Sequence, residues 1–177
     1  MIRGHRTIGA LVVLLLAAVV TVAQAQPQFN GTWVLDRAQS QLPARGPHGH
    51  GAADPNTPPP QVKLTVEQQG NTLKATRTMV RGSRERAVSE TYVTDGSERT
   101  ETMHRGSSVT KATLGGDRLV VQQTHTMPPK QEGQAAKTFS RESVWTLSPD
   151  GRTLTIDTTM HSDRGDRTMK SVYTRSS

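Results

Sequence analysis

The residues with chemical potential in this chain are charged groups placed at every second position among apolar ones. Arg77 lies between Ala75 and Met79, and Glu90 lies between Val88 and Tyr92. Arg141 lies between Phe139 and Ser143, and His125 continues the series Leu119, Val121, Gln123. Residues two apart share one face of a strand, so an apolar face turned inward carries these polar groups with it. A buried, unpaired charge is costly, so each must pair, meet water or hold a ligand. In one reading Arg77 and Arg141 line a wet cavity with His125 and hold a carboxylate or phosphate head group. Tyr92, Trp145 and Tyr173 then surround the apolar part of that ligand. In the other reading the arginines and Glu90 form an internal network, or sit at strand ends in solvent. A one-residue bulge would turn any of these side chains to the opposite face.

Other constellations are weaker. His48-Gly49-His50, with Asp54 nearby, has ligand types that suit zinc, copper or nickel. A metal site needs three or four donors in fixed geometry, so solvated histidines and no metal are the expectation. His104, His125 and His161 are scattered without metal-site spacing. No Gly-x-Ser-x-Gly elbow, His-Glu-x-x-His or phosphate-binding glycine loop occurs, which points to a non-enzymatic protein with no cofactor. The chain has no cysteine, which excludes disulfides, thiol catalysis and thiolate metal sites.

The elements that must position these residues come after a leader. Arg3, His5 and Arg6 precede an uncharged apolar run from Ile8 to Val22, and Ala23-Gln24-Ala25 is a small-x-small cleavage site. The run has 15 residues, short of the roughly 20 needed to span a bilayer. The expectation is a Sec-type signal peptide over 1–25, cut after Ala25, a periplasmic or secreted location, and no stable membrane anchor after cleavage. Removing the leader lowers the formal charge from +7 to +5. Basic and acidic residues alternate and aromatics are only 3% of the chain, so the basic stripe with stacking rings that binds nucleic acid is missing.

One domain is expected over 26–177. Residues 43–60, rich in Pro, Gly, Ala and His, read as a flexible or polyproline loop. From Gln61 onward the apolar period is two. Val62, Leu64 and Val66 alternate with Lys63, Thr65 and Glu67, and similar short runs follow at 8–12-residue spacing, separated by glycine turns. Ser148-Pro149-Asp150-Gly151 carries a type I turn signal. No segment holds a helical period over three turns, although polar Asp36 to Gln41 is compatible with one turn of helix. The pattern predicts an all-β, antiparallel up-and-down meander closing into a barrel of eight to ten strands, since closure removes the exposed edges.

Gly31-Thr32-Trp33 in the first strand of such a meander resembles the Gly-x-Trp signature of lipocalins and the wider calycin group. The longer segments Phe29–Asp36 and Val144–Leu154 resemble those of uncharacterised exported bacterial lipocalin-like proteins. The resemblance covers the two ends of the mature chain better than its middle. It implies that Gly31 and Trp33 close the barrel floor and that an arginine of the last strand, Arg167 or Arg175, packs across Trp33. It also implies a cup for a small hydrophobic or amphipathic ligand. Two departures stand beside it: no helix is visible before the last strand, and no disulfide is available. The alternative role is a structural or interaction module that binds a protein of the cell envelope.

Overall fold

The computed structural model describes residues 28–42, 58–115, 117–129, 131, 133–163 and 165–176. The expected leader and the loop centre with His48, His50 and Asp54 lie outside the described residues. Ten strands make up the regular structure: β1 (Gly31–Gln41), β2 (Gln61–Gln69), β3 (Thr72–Arg81), β4 (Arg84–Val93), β5 (Asp95–Met103), β6 (Gly106–Gly115), β7 (Arg118–Met127), β8 (Lys137–Leu147), β9 (Thr153–His161) and β10 (Arg167–Arg175). They form one antiparallel sheet in the order β4-β3-β2-β1-β10-β9-β8-β7-β6-β5. No helix is present among the described residues. The segment Asp36–Gln41 stays within β1 but bulges, because the register against β10 slips between Asp36 and Gln41. The Asp36 carboxylate accepts from the backbone N–H groups of Ala38 and Gln39 at 2.9 and 3.1 Å and so holds the bulge.

Each hairpin joins sequence neighbours, and the pairing of β1 with both β2 and β10 curls the sheet into a barrel. The two remaining edges, β4 and β5, share no ladder among the described residues. At one end of the barrel this seam is stitched through Thr94. Its N–H donates to the Asn71 carbonyl at 2.7 Å, and its carbonyl accepts from Leu114 N–H at 3.1 Å. Toward the other end the two edges are unjoined.

The stitched end is the closed one. Phe29, just before β1, and the inward residues Trp33, Leu64, Leu73, Leu119 and Leu154 of β1, β2, β3, β7 and β9 fill it, all at most 1% exposed. Fully burying one such side chain contributes about 1.5–3 kcal/mol. Trp33 Nε1 donates to the Phe29 carbonyl at 3.0 Å, so the indole satisfies its one donor inside the core. The Arg175 guanidinium carbon lies 4.2 Å from the centre of the Trp33 ring. Its Nη1 and Nε donate to the carbonyls of Asn30 and Gly151 at 2.6 and 2.9 Å. Of the two arginines, Arg175 therefore caps the tryptophan, while Arg167 lies at the opposite end of β10 beside Met160. Gly31 makes this approach possible. Its φ is 132°, and a Cβ there would sit 2.6 Å from Arg175 Nη1.

Candidate functional site

Above the apolar floor the inward positions turn polar. Pairing register places Arg141 opposite Gln123, and Ser143 opposite Thr158. Arg141 Nη2 donates to both Glu90 oxygens at 3.0 and 3.2 Å and also to Gln123 Oε1. Tyr92 Oη donates to Glu90 Oε2 at 2.6 Å, and Gln123 Nε2 reaches Thr110 Oγ1 at 3.4 Å. Ser143 and Thr158 share a hydroxyl hydrogen bond of 3.1 Å. Burial alone would raise the pKa of Glu90. The hydrogen bond from Tyr92 and the Arg141 charge outweigh it, so the carboxyl is held below its ordinary value. Tyr92 is shifted far upward, first by burial and then by the Glu90 charge. It stays a hydrogen-bond donor across the physiological range.

Arg77 sits beside this network and differs from it. Its charge reaches Tyr92, where it favours the ionised phenol. Its Nε is the one buried side-chain nitrogen or oxygen among the described residues without a hydrogen-bond partner. The two arginines thus differ in their partners. Arg141 is consumed by an internal acid, while Arg77 keeps an unsatisfied donor.

Beyond the polar layer the inward face becomes apolar again but is not filled. Val88, Met103, Met127, Phe139 and Met160 occupy inward positions by alternation, yet are 37–49% exposed. In a packed barrel these positions would be covered, so the upper barrel is an open mouth. His125 stacks on Phe139 there, with ring centres 4.8 Å apart. A cleft of about 460 Å³ follows the β4–β5 seam, lined by Thr91, Val93, Arg99, Thr100, Glu101 and Thr110. A concavity of about 790 Å³ at the closed end is lined by Asn30, Glu67, Gln68, Gln69, Thr72 and Lys74, and it is remote from the polar layer.

The structure gathers Arg77, Tyr92 and Arg141 into one layer and places His125 at the mouth. Trp145 meets Tyr92 edge-on at 6.3 Å and Phe29 at 6.2 Å, so it forms the ceiling of the floor and is only 3% exposed. Tyr173 lies in the floor next to Leu35 and Leu154, not around the polar layer. Gln123, 7% exposed, belongs to the layer although it was not singled out from the sequence. Its alternation with Val121 and His125 was the available signal. Arg99 and Glu101 of the seam carry no signal in the sequence, because β5 is polar on both faces. Among the described residues no group of three or more His, Cys, Asp or Glu is placed to hold a metal ion, and no helix is long and apolar enough to cross a membrane.

No family model matches the chain, and no curated protein matches it. Solved structures with similar architecture include "REP1-NXSQ fatty acid transporter", at 12% identity and TM-score 0.46, with 84% of this chain and 96% of that chain covered. Zebrafish ileal bile acid-binding protein complexed with cholic acid matches at 14% identity and TM-score 0.47, covering 84% and 98%. Secretory abundant heat soluble protein 4 from Ramazzottius varieornatus matches at 13% identity and TM-score 0.47, covering 84% and 94%. These scores lie below 0.5, and the barrel assignment rests on the strand pairing described above.

Proposed function

We propose that this chain is an exported, non-enzymatic cup for a small anionic amphipathic molecule. The observation that carries the reading is the unsatisfied, buried Nε of Arg77 beneath an open, apolar-lined mouth. A carboxylate or phosphate oxygen would satisfy that donor, and charged hydrogen bonds of this kind are among the strongest available. The apolar part of the ligand would lie against Val88, Phe139 and Met160, which gain little from water. Glu90 neutralises Arg141, so the net positive charge of the layer is that of Arg77 alone. This favours a monoanionic head group. Below the layer the barrel is packed, so the ligand would extend upward toward the mouth. Export rests on the leader pattern of residues 1–25.

A second reading, an interaction module, is favoured by one observation. The edges of β4 and β5 leave backbone groups without a ladder partner, and a strand from another protein could pair there.

Displacement of 1-anilinonaphthalene-8-sulfonate by a series of fatty acids, on the chain from Gln26 to Ser177, tests the cup. Arg77→Leu should weaken acid binding by about ten- to a hundredfold, the range of a charged hydrogen bond. Matched fatty alcohols should bind the parent and the variant alike. Equal acid affinity for both proteins would reject the head-group role of Arg77.

A further inference from the structure

We infer that the open end of the barrel is a docking surface for an anionic lipid bilayer. This goes beyond the ligand cup and does not depend on it. The two ends of the barrel differ in charge. Around the open end the described residues supply Arg81, Arg84, Arg86, Arg105, Lys137 and Arg167 against Glu85, Glu101, Asp163 and Asp166. Two of those acids are engaged, Asp163 with Lys137 at 3.5 Å and Asp166 with His161 at 2.9 Å. The five arginines are exposed and form no ion pair among the described residues. At the closed end Lys74, Arg118, Arg152 and Arg175 are balanced by Glu67, Asp95, Asp117 and Asp150. Two pairs link them, Lys74 to Glu67 at 3.3 Å and Arg118 to Asp117 at 4.0 Å.

The second observation is apolar. Met103 and Met127 are the last residues of β5 and β7, at the barrel lip, and are 49% and 37% exposed. Met103 is two residues from Arg105. Cations interleaved with exposed, flexible apolar side chains match the two layers of a bilayer surface. Lipid phosphates meet the arginines, and the methionines enter the interface below them. A nucleic acid would satisfy the arginines only, since the rim offers Phe139 as its one exposed aromatic among the described residues.

Co-sedimentation with vesicles tests this, using the chain from Gln26, which retains all ten strands and the whole described core. Vesicles of phosphatidylcholine alone are compared with an equal mixture of phosphatidylcholine and phosphatidylglycerol. The parent should bind the anionic vesicles and lose most of that binding at high salt. Arg84→Glu/Arg86→Glu/Arg105→Glu should lower the partition coefficient roughly a hundredfold or more, from the loss of several surface cations. Lys74→Glu/Arg118→Glu/Arg152→Glu carries the same net charge at the closed end and should bind nearly as the parent does. Met103→Ser/Met127→Ser should reduce binding several-fold with the arginines intact. Thermal melting confirms that each variant is folded. Equal losses in the two charge-reversed variants would overturn the proposal, as would equal binding to both vesicle types. Duplex DNA binding as strong as vesicle binding would overturn it too, marking a general polyanion patch. Arg77→Leu should leave vesicle binding unchanged, so failure of the ligand cup and failure of the docking surface are separable.

Discussion

Replacing Arg141 by leucine tests whether Glu90 is held as a charged group inside the barrel. In the parent, Glu90 receives hydrogen bonds from Tyr92 and Arg141, and its side chain is 37% exposed against 27% for Arg141. Removing one partner of a fully buried ion pair costs about 3–5 kcal/mol, whereas exposed pairs contribute about 1 kcal/mol or less. Partial exposure places the expected loss near the middle, at about 2 kcal/mol, or about 4–8 °C in Tm for a domain of this size. The pH dependence follows from the direction of the Glu90 shift. A carboxyl whose folded pKa is depressed stabilises the fold above its unfolded pKa of about 4.3, and that stability is lost as pH falls through the folded value. In Arg141→Leu, burial remains and one of its opponents is gone, so Glu90 titrates higher. Protonation then relieves the buried charge. The gap in stability between parent and variant should be widest at about pH 7 and should narrow at about pH 3.5. Urea denaturation at both pH values measures it, with a cycle through Glu90→Gln and the double variant. An equal gap at both pH values, or strictly additive single effects, would refute the charged network.

Two further outcomes follow from the floor and the polar layer. Gly31→Ala forces a Cβ to within 2.6 Å of Arg175 Nη1 at a φ of 132°. It should destabilise the fold by about 1–3 kcal/mol and leave Trp33 more accessible to acrylamide quenching, and unchanged quenching would contradict the capping role of Arg175. Tyr92 should remain protonated at about pH 11, because burial and the Glu90 charge raise its pKa. A tyrosine whose folded pKa is raised stabilises the fold below its unfolded pKa of about 10, and this stability is lost as pH rises through the folded value. Ultraviolet titration of the two tyrosines in folded and urea-unfolded protein checks it. Complete ionisation of both in the folded protein by about pH 11 would contradict the buried position of Tyr92.

The ten strands were legible because local physics writes them into the chain. Apolar residues at period two, threonine and valine content, and glycine at the turns all report backbone conformation within a few residues of themselves. The same alternation placed Arg77, Glu90, Tyr92 and Arg141 on one inward face. It failed for β5, where both faces are polar and there is no contrast to read. That is why Arg99 and Glu101 were invisible beside the seam. The bulge at Asp36 was legible only as a break in the strand pattern, and it proved to be a slipped register closed by the Asp36 side chain rather than a turn of helix.

What the sequence by itself determined is therefore the all-β character and, outside β5 and the end of β1, the strands and their inward-facing residues, since each depends on neighbours along the chain. Which inward groups meet is a long-range question. Glu90 and Arg141 are 51 positions apart, and Asn30 and Arg175 are 145 apart. The choice of Arg175 over Arg167 was made by the antiparallel register of β10 on β1, which sets Arg175 opposite Trp33. The same closure left β4 and β5 unjoined and exposed the upper inward face. It also satisfied Arg141 while leaving Arg77 Nε without a partner. Only tertiary structure decides these, because a side chain's partner depends on strand tilt and curl summed around the whole barrel, and no local window contains that sum.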